Sequence, residues 1–257
     1  MANATYVYCL VGSSAKPRLR RTLKGLPGSG PIRLLTVDIG IWLAVADVPL
    51  TAYGEKALKS GLGDLDWVSE TAVAHERVVE SFRSADAVLP MKLFTIFEND
   101  ARAQGNIEEN RQTIDRLIAR VAKMDEWGVR LALDHSAPAV RSRAVASVSP
   151  RAASGASYLR RKKAQRDDSM NRAKRAKAVA AELFDTLAIH SAEARKRPAT
   201  ELPAGGGLLI LDAAFLVPRT RSRRLMSAAA RQARALTPQG YAVSVTGPWP
   251  PYSFMQD

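Results

Sequence analysis

A chain of 257 residues, 46% of them apolar, is long enough for one large domain or two small ones, and with only 6% aromatics its core must be filled mainly by Ala, Leu and Val. The formal charge of +13 is uneven: 16 Lys/Arg stand against 14 Asp/Glu up to Met124, and 22 against 11 from Asp125 onward. One cysteine, Cys9, excludes an intrachain disulfide; no apolar run approaches the ~20 residues of a membrane span; and the N-terminus lacks the basic-then-apolar order of a signal peptide, so a soluble protein of the reducing cytoplasm is expected.

Thr5–Val11 reads as a first strand, with Cys9 as a small buried hydrophobe. A basic loop rich in Gly and Pro follows, and then two strands, Ile32–Val37 and Ile41–Ala46, joined tightly at Asp38-Ile39-Gly40. The three together predict a mostly antiparallel meander. Asp64 opens a helix that runs to Phe82, with Val68, Ala72, His75, Val79 and Phe82 on one face. Val88–Phe97 is dense in β-branched and aromatic residues and reads as one strand buried at the centre of a sheet. Glu98–Gln104 reads as a helical turn. Asn106 is the predicted N-cap of a second amphipathic helix reaching Met124, with Ile107, Ile114, Leu117, Ile118, Val121 and Met124 as its stripe.

Glu126–Leu133 alternates as a strand and opens the second half. Residues 134–155, poor in periodicity, read as a flexible insertion. Ser157–Ile189 predicts a long helix, basic at Arg160-Arg161-Lys162-Lys163 and apolar later at Met170, Ala173, Ala176, Val179, Ala180, Leu183, Phe184 and Leu187. Arg195–Leu202 reads as an edge strand, Gly205–Gly207 as a turn and Leu208–Val217 as a central strand. Arg221–Leu236 is a basic helix and Gly240–Val245 the last strand. Strand, helix, strand, strand, helix, strand is the order of a split β-α-β, ferredoxin-like domain. The expected fold class is α+β with two domains: a mixed α+β sheet domain over 1–124 and a ferredoxin-like domain over 125–257.

Signals for catalysis are poor. His75, His135 and His190 are far apart and lack partners at metal-ligand spacing. No nucleophile elbow or phosphate-binding loop is present, and Gly205–Gly207 precedes a strand rather than a helix. His75 is expected to be a hydrogen-bonded core histidine. No catalytic residue, metal or cofactor is predicted. The cationic second half could attract nucleic acid, anionic lipid or an acidic partner, or be a solvated Arg-rich surface, and an alternative function is a basic nucleic-acid-binding module built on the ferredoxin-like domain. The central strands offer few exposed aromatics for stacking bases, so no nucleic acid is expected.

Several blocks, in order along nearly the whole chain, resemble the GvpF/GvpL family of gas vesicle proteins. They are His75-Glu76; Val88-Leu89-Pro90-Met91 with Thr95 and Phe97; Glu126-Trp127-Gly128-Val129; Gly155-Ala156-Ser157-Tyr158-Leu159; Leu211–Val217; and Thr246-Gly247-Pro248-Trp249-Pro250-Pro251-Tyr252-Ser253-Phe254. One departure stands out: where the family usually has Arg followed by Phe-Gly-Thr, this chain has Lys92-Leu93-Phe94-Thr95. The resemblance implies two α+β domains, the second a modified ferredoxin fold. It implies a non-enzymatic, vesicle-associated protein of the cytoplasm, a minor structural component or an assembly factor. Its implied partners are the small hydrophobic shell protein and other accessory proteins, with no lipid membrane. Candidate interaction residues fall in three groups. The strand gives Leu89, Pro90, Met91 and Phe94; the basic helix gives Tyr158, Arg160, Arg161, Lys162 and Lys163; the tail gives Trp249, Pro250, Pro251, Tyr252 and Phe254. Each has a second explanation: strand and tail aromatics finish a core, and helix cations are a solvated face.

Overall fold

Asn3–Gly12 forms β1, and every residue after Asn3 is buried. Such a strand has no polar face to offer water, so it needs cover on both sides and partners on both edges. The computed structural model, which describes residues 2–19, 22–133, 155–198 and 208–255, supplies both. Along one edge β1 pairs with β3 (Ile41–Pro49), which pairs in turn with β2 (Arg33–Asp38). The other edge is shared by two short strands, β4 (Ala87–Pro90) against Cys9–Gly12 and β5 (Ile96–Phe97) against Thr5–Tyr6. All these pairings are antiparallel.

Two expectations are corrected here. The first three strands are not a sequential meander, because the order is β2-β3-β1-β4. The long loop after β1 lets β2 reach the far edge, and only β2 and β3 form a hairpin, turning at Gly40 with φ +76°. Val88–Phe97 is neither one strand nor central. It splits into two strands on the outer edge, and β1 takes the centre.

The register between β1 and β3 slips between Val7 and Cys9. This bulge changes the parity of the strand. Tyr6, Tyr8, Cys9 and Val11 face one core cluster, and Val7 and Leu10 face the other. The first cluster is closed by α3 (Leu65–Ser81), through Ala74, Val78 and Val79. The helix begins where the acidic start predicts, and the structure adds that Asp64 caps it, its carboxylate accepting from the Asp66 and Trp67 backbone N–H groups. The buried face is Thr71, Ala74, His75, Val78 and Val79, which rotates Val68 and Ala72 of the predicted face toward its margin. Two short helices, α1 (Leu50–Tyr53) and α2 (Glu55–Gly61), precede it.

The second cluster is closed by α4 (Asp100–Glu109) and α5 (Arg111–Val121) through Ala103, Ile107, Ile114 and Val121. The predicted single helix starting at Asn106 is therefore wrong at its start and in its continuity. Asn99 is the N-cap, accepting from the Arg102 N–H, and the helix breaks at Asn110. Asn106 lies inside α4.

The second sheet has the order β7-β8-β6-β9. Its elements follow the predicted sequence: β6 (Met124–Leu133), α6 (Gly155–Ala188), β7 (Glu193–Lys196), β8 (Leu208–Pro218), α7 (Ser222–Leu236) and β9 (Tyr241–Trp249). β8 is internal, as expected, and β7 is an edge strand, as expected, but it lies at Glu193–Lys196 and so begins before the predicted Arg195–Leu202. Leu183 and Leu187 of α6 and Leu225, Ala228 and Ala229 of α7 pack with Val129, Leu131 and Phe215 of the sheet. At ~1.5 Å per residue, α6 is about 50 Å long. The predicted flexible insertion and the glycine turn at 205–207 lie outside the described residues.

By contacts the chain divides into two units, Met1–Glu126 with Pro248–Asp257, and Trp127–Gly247. The sequence boundary after Met124 had left the tail with the second half; its contacts are with the first.

Candidate interaction surfaces

In the first unit the predicted strand is broken by a turn at Lys92–Thr95, where the Thr95 N–H donates to the Lys92 carbonyl at 3.1 Å. Phe94 is the third residue of that turn and has φ +65°. Such a φ at this position is what type II turns reserve for glycine. Here a phenylalanine holds the left-handed backbone, and its ring stacks on Trp67 at 5.3 Å between centroids and 4° between planes. The Phe94 N–H donates to the Tyr6 hydroxyl at 3.3 Å, and that hydroxyl lies 2.8 Å from His75 Nδ1. Burial pushes the His75 pKa down to about 4, opposed by the Met91 backbone, so the ring is neutral near pH 7, and its tautomer sets which of Nδ1 and the Tyr6 hydroxyl donates. Burial likewise raises the Tyr6 phenol. His75 is thus a hydrogen-bonded core residue, as its place on an apolar helix face predicts. Leu89 and Pro90 are buried; Met91 and Phe94 are half-buried.

The tail is held by Glu126, a carboxylate only 4% exposed. Its two oxygens accept from the Ser253 N–H and the Ser253 hydroxyl, each at 2.7 Å. Gly247 takes φ +120°, open only to glycine, and the Pro248 carbonyl accepts from Arg83 at 3.2 Å. Tyr252–Phe254 then closes as a 3-10 turn rather than staying extended. Pro250, Pro251 and Phe254 are buried, and Met255 packs on the cluster that contains Leu89. What the tail leaves outward is part of Trp249 and of Tyr252, the latter 36% exposed. Desolvation, with a smaller push from Glu76, still raises the Tyr252 phenol pKa.

On α6 of the second unit, Arg160, Lys162 and Lys163 are exposed. Tyr158 and Arg161 are described only by their place in the helix. Exposed arginines continue on α7 at Arg223, Arg224, Arg231 and Arg234. The predicted residues therefore fall on separate units: strand and tail in the first, basic helix in the second.

Sequence reasoning missed the polar anchors. Besides Glu126, these include Asp212, 6% exposed, which accepts from Arg197 at 2.6 and 2.9 Å and from Arg130 at 3.2 Å. Arg33 similarly bridges Asp47 and Asp100. No short spacing announces such pairs; a carboxylate inside an apolar strand run, as at Asp212, is the one available sign. Among the described residues no group of His, Cys, Asp and Glu could hold a metal ion, and no helix is long and apolar enough to cross a membrane.

The two-sheet α+β fold matches that of crystal structures of gas vesicle protein GvpF. The crystal structure of gas vesicle protein GvpF from Anabaena sp. PCC7120 superposes with a TM-score of 0.69 at 16% identity, covering 99% of this chain and 97% of that one. GvpF from Microcystis aeruginosa gives 0.64 at 15% identity, covering 99% of each chain. At such identities the likeness speaks for the fold alone. Sequence similarity carries the rest. The family described as gas vesicle synthesis protein GvpL/GvpF matches residues 4–256. Gas vesicle protein L of Streptomyces sp. (strain CB03234) is 32% identical over 231 residues, 88% of this chain and 84% of that protein. Gas vesicle protein F of the same strain is 27% identical over 265 residues, 98% of this chain and 100% of that protein. The chain belongs to the GvpL/GvpF family, as the ordered blocks in its sequence imply, and its role is tied to gas vesicles.

Proposed function

We propose that the protein is a non-enzymatic participant in gas vesicle formation, a minor structural component or an assembly factor. In this role it binds the small hydrophobic shell protein and other accessory proteins in the cytoplasm and associates with the vesicle. The observation that carries this is the family match across residues 4–256, which includes both sheets and the tail. The outward parts of Trp249 and Tyr252 are the contact points assigned to the first unit, since aromatic residues held on a rigid support make strong interface anchors. Leu89, Pro90, Met91, Pro250, Pro251 and Phe254 act indirectly, by holding that surface in place. Arg160, Lys162 and Lys163, with Tyr158 and Arg161 beside them, meet acidic groups of a partner. We read the second unit as a ferredoxin-like module, a reading its strand order β7-β8-β6-β9 supports.

The test is flotation. Tagged protein expressed in a strain lacking its own copy should rise with purified vesicles and capture the shell protein in a pull-down. Trp249→Ala with Tyr252→Ala should weaken capture while leaving the melting temperature within a few degrees. A chain that never floats with vesicles and captures no vesicle protein would refute the proposal.

A further inference from the structure

The apolar stripe of α6 outruns the sheet that covers it. Ala176, Ala180, Leu183 and Leu187 are buried in the core of the second unit at helical spacing. One and two turns earlier the same stripe continues through Ala173 and Met170, and both are exposed, Met170 by 62%. Across the groove from Ala173, β8 begins with Leu208, also 62% exposed, and half-buried Leu209 and Ile210. Between helix and strand lies a groove of about 810 Å³ lined by Leu133, Ala173, Ala176, Leu209, Ile210 and Tyr241. Its remaining lining includes three exposed cations, Arg172, Arg175 and Lys177, and no carboxylate among the described residues.

We infer that this groove seats an acidic amphipathic helix of a partner protein. The apolar face would lie on Ala173, Leu209 and Ile210, with flanking carboxylates against Arg172, Arg175 and Lys177. The inference deepens the protein-binding role proposed above and rests on it. Of the six helix residues lining the groove, Ser169, Arg172, Ala173 and Ala176 form the i, i+3, i+4, i+7 set that one helix presents to another laid beside it. The cations choose the sign of the partner. Self-association through this face brings like charge to the contact, since 22 Lys/Arg stand against 11 Asp/Glu from Asp125 onward. Residues 134–154 of the chain itself are a poor occupant for the same reason, carrying Arg141, Arg143 and Arg151 against Asp134 alone.

The experiment uses the full chain and three synthetic helices: one with a Leu stripe flanked by Glu, one with the same stripe flanked by Lys, and one with the Glu flanks but Ser in place of Leu. Fluorescence anisotropy at physiological salt should show the Glu-flanked Leu helix binding at least about tenfold tighter than either control. Arg172→Glu with Lys177→Glu, and separately Ala173→Arg, should each weaken it about tenfold with circular dichroism and melting unchanged; all three positions are exposed, so folding is not at issue. Equal binding of the Lys-flanked helix, no binding by the parent chain, binding that appears only once residues 135–153 are deleted, or self-association through this face would each overturn the inference. Flotation separates it from the broader role. If the Arg172/Lys177 variant binds no helix but still floats with vesicles, this site falls and the vesicle role stands; if the parent chain itself does not float, the broader role falls.

Discussion

Phe94 sets two opposing effects at one position, and two substitutions separate them. A residue with a Cβ held at φ +65° costs about 1–2 kcal/mol relative to the right-handed region. Stacking on Trp67 offsets that by about 0.5–1.5 kcal/mol, and half-burial of the ring by about 1–2 kcal/mol more. Phe94→Ala removes the ring and keeps the strained backbone, so it should destabilise by about 2–3 kcal/mol. Phe94→Gly removes the same ring but relieves the backbone, less about 0.5–1 kcal/mol for the extra freedom of glycine in the unfolded chain. Glycine should therefore be the milder change by about 1 kcal/mol, the reverse of the usual order of Ala and Gly. Urea unfolding followed by circular dichroism, with Trp67→Ala as a background in which the ring contributes less, measures the difference. If Phe94→Ala proves as stable as Phe94→Gly, the turn does not strain its third residue and the account is wrong.

Other outcomes follow from the same geometry. His75 is neutral and buried with its pKa near 4 against 6.5 in the unfolded chain, so stability is fully present above about pH 6.5 and is lost as pH falls toward 4. The loss should approach about 3 kcal/mol, and the slope of unfolding free energy against pH should flatten in that window in His75→Phe. Glu126→Ala should cost about 2 kcal/mol and speed amide exchange at Ser253 and Phe254, while Glu126→Gln, which keeps an acceptor, should cost less; equal exchange in all three would contradict the anchor. Truncation after Val245 should abolish stable folding of the first unit or partner binding, and unchanged melting together with unchanged shell-protein capture would be the contrary result. Asp212→Ala should lower the stability of the second unit by about 1–2 kcal/mol in denaturant titration, discounted because Arg130 and Arg197 are partly solvated. Cys9, buried with a raised thiol pKa, should resist alkylation in the native protein and react fully in denaturant.

What was legible in the sequence was local. The acidic helix start at Asp64, the alternation of Trp127, Val129 and Leu131, and the apolar run of β8 each carry their signal within a few residues. The order of strands in the first sheet did not, because β1 and β3 pair across an irregular loop and nothing in either strand names its neighbour. The centre of that sheet was misplaced for a specific reason. Val88–Phe97 looks continuous in composition, and the residue that breaks it is a phenylalanine in a conformation usually marked by glycine. Asn106 and Asn99 are equally good caps by residue type, and only tertiary packing of Ala103 and Ile107 selects the earlier one. Of the candidate site, the tail was visible as an aromatic, proline-rich block, but its anchor on Glu126 joins residues far apart in the chain.

The second unit is inserted into the first, and this bears on synthesis. A ribosome delivers Met1–Glu126 early, yet the segment carrying Ser253 and Phe254 emerges only after all of Trp127–Gly247. The module made first is therefore the one completed last, inverting the usual head-to-tail order of domain maturation. Throughout that interval the nascent chain presents the uncovered seat of Phe254 and Met255 to whatever chaperone or vesicle partner is at hand.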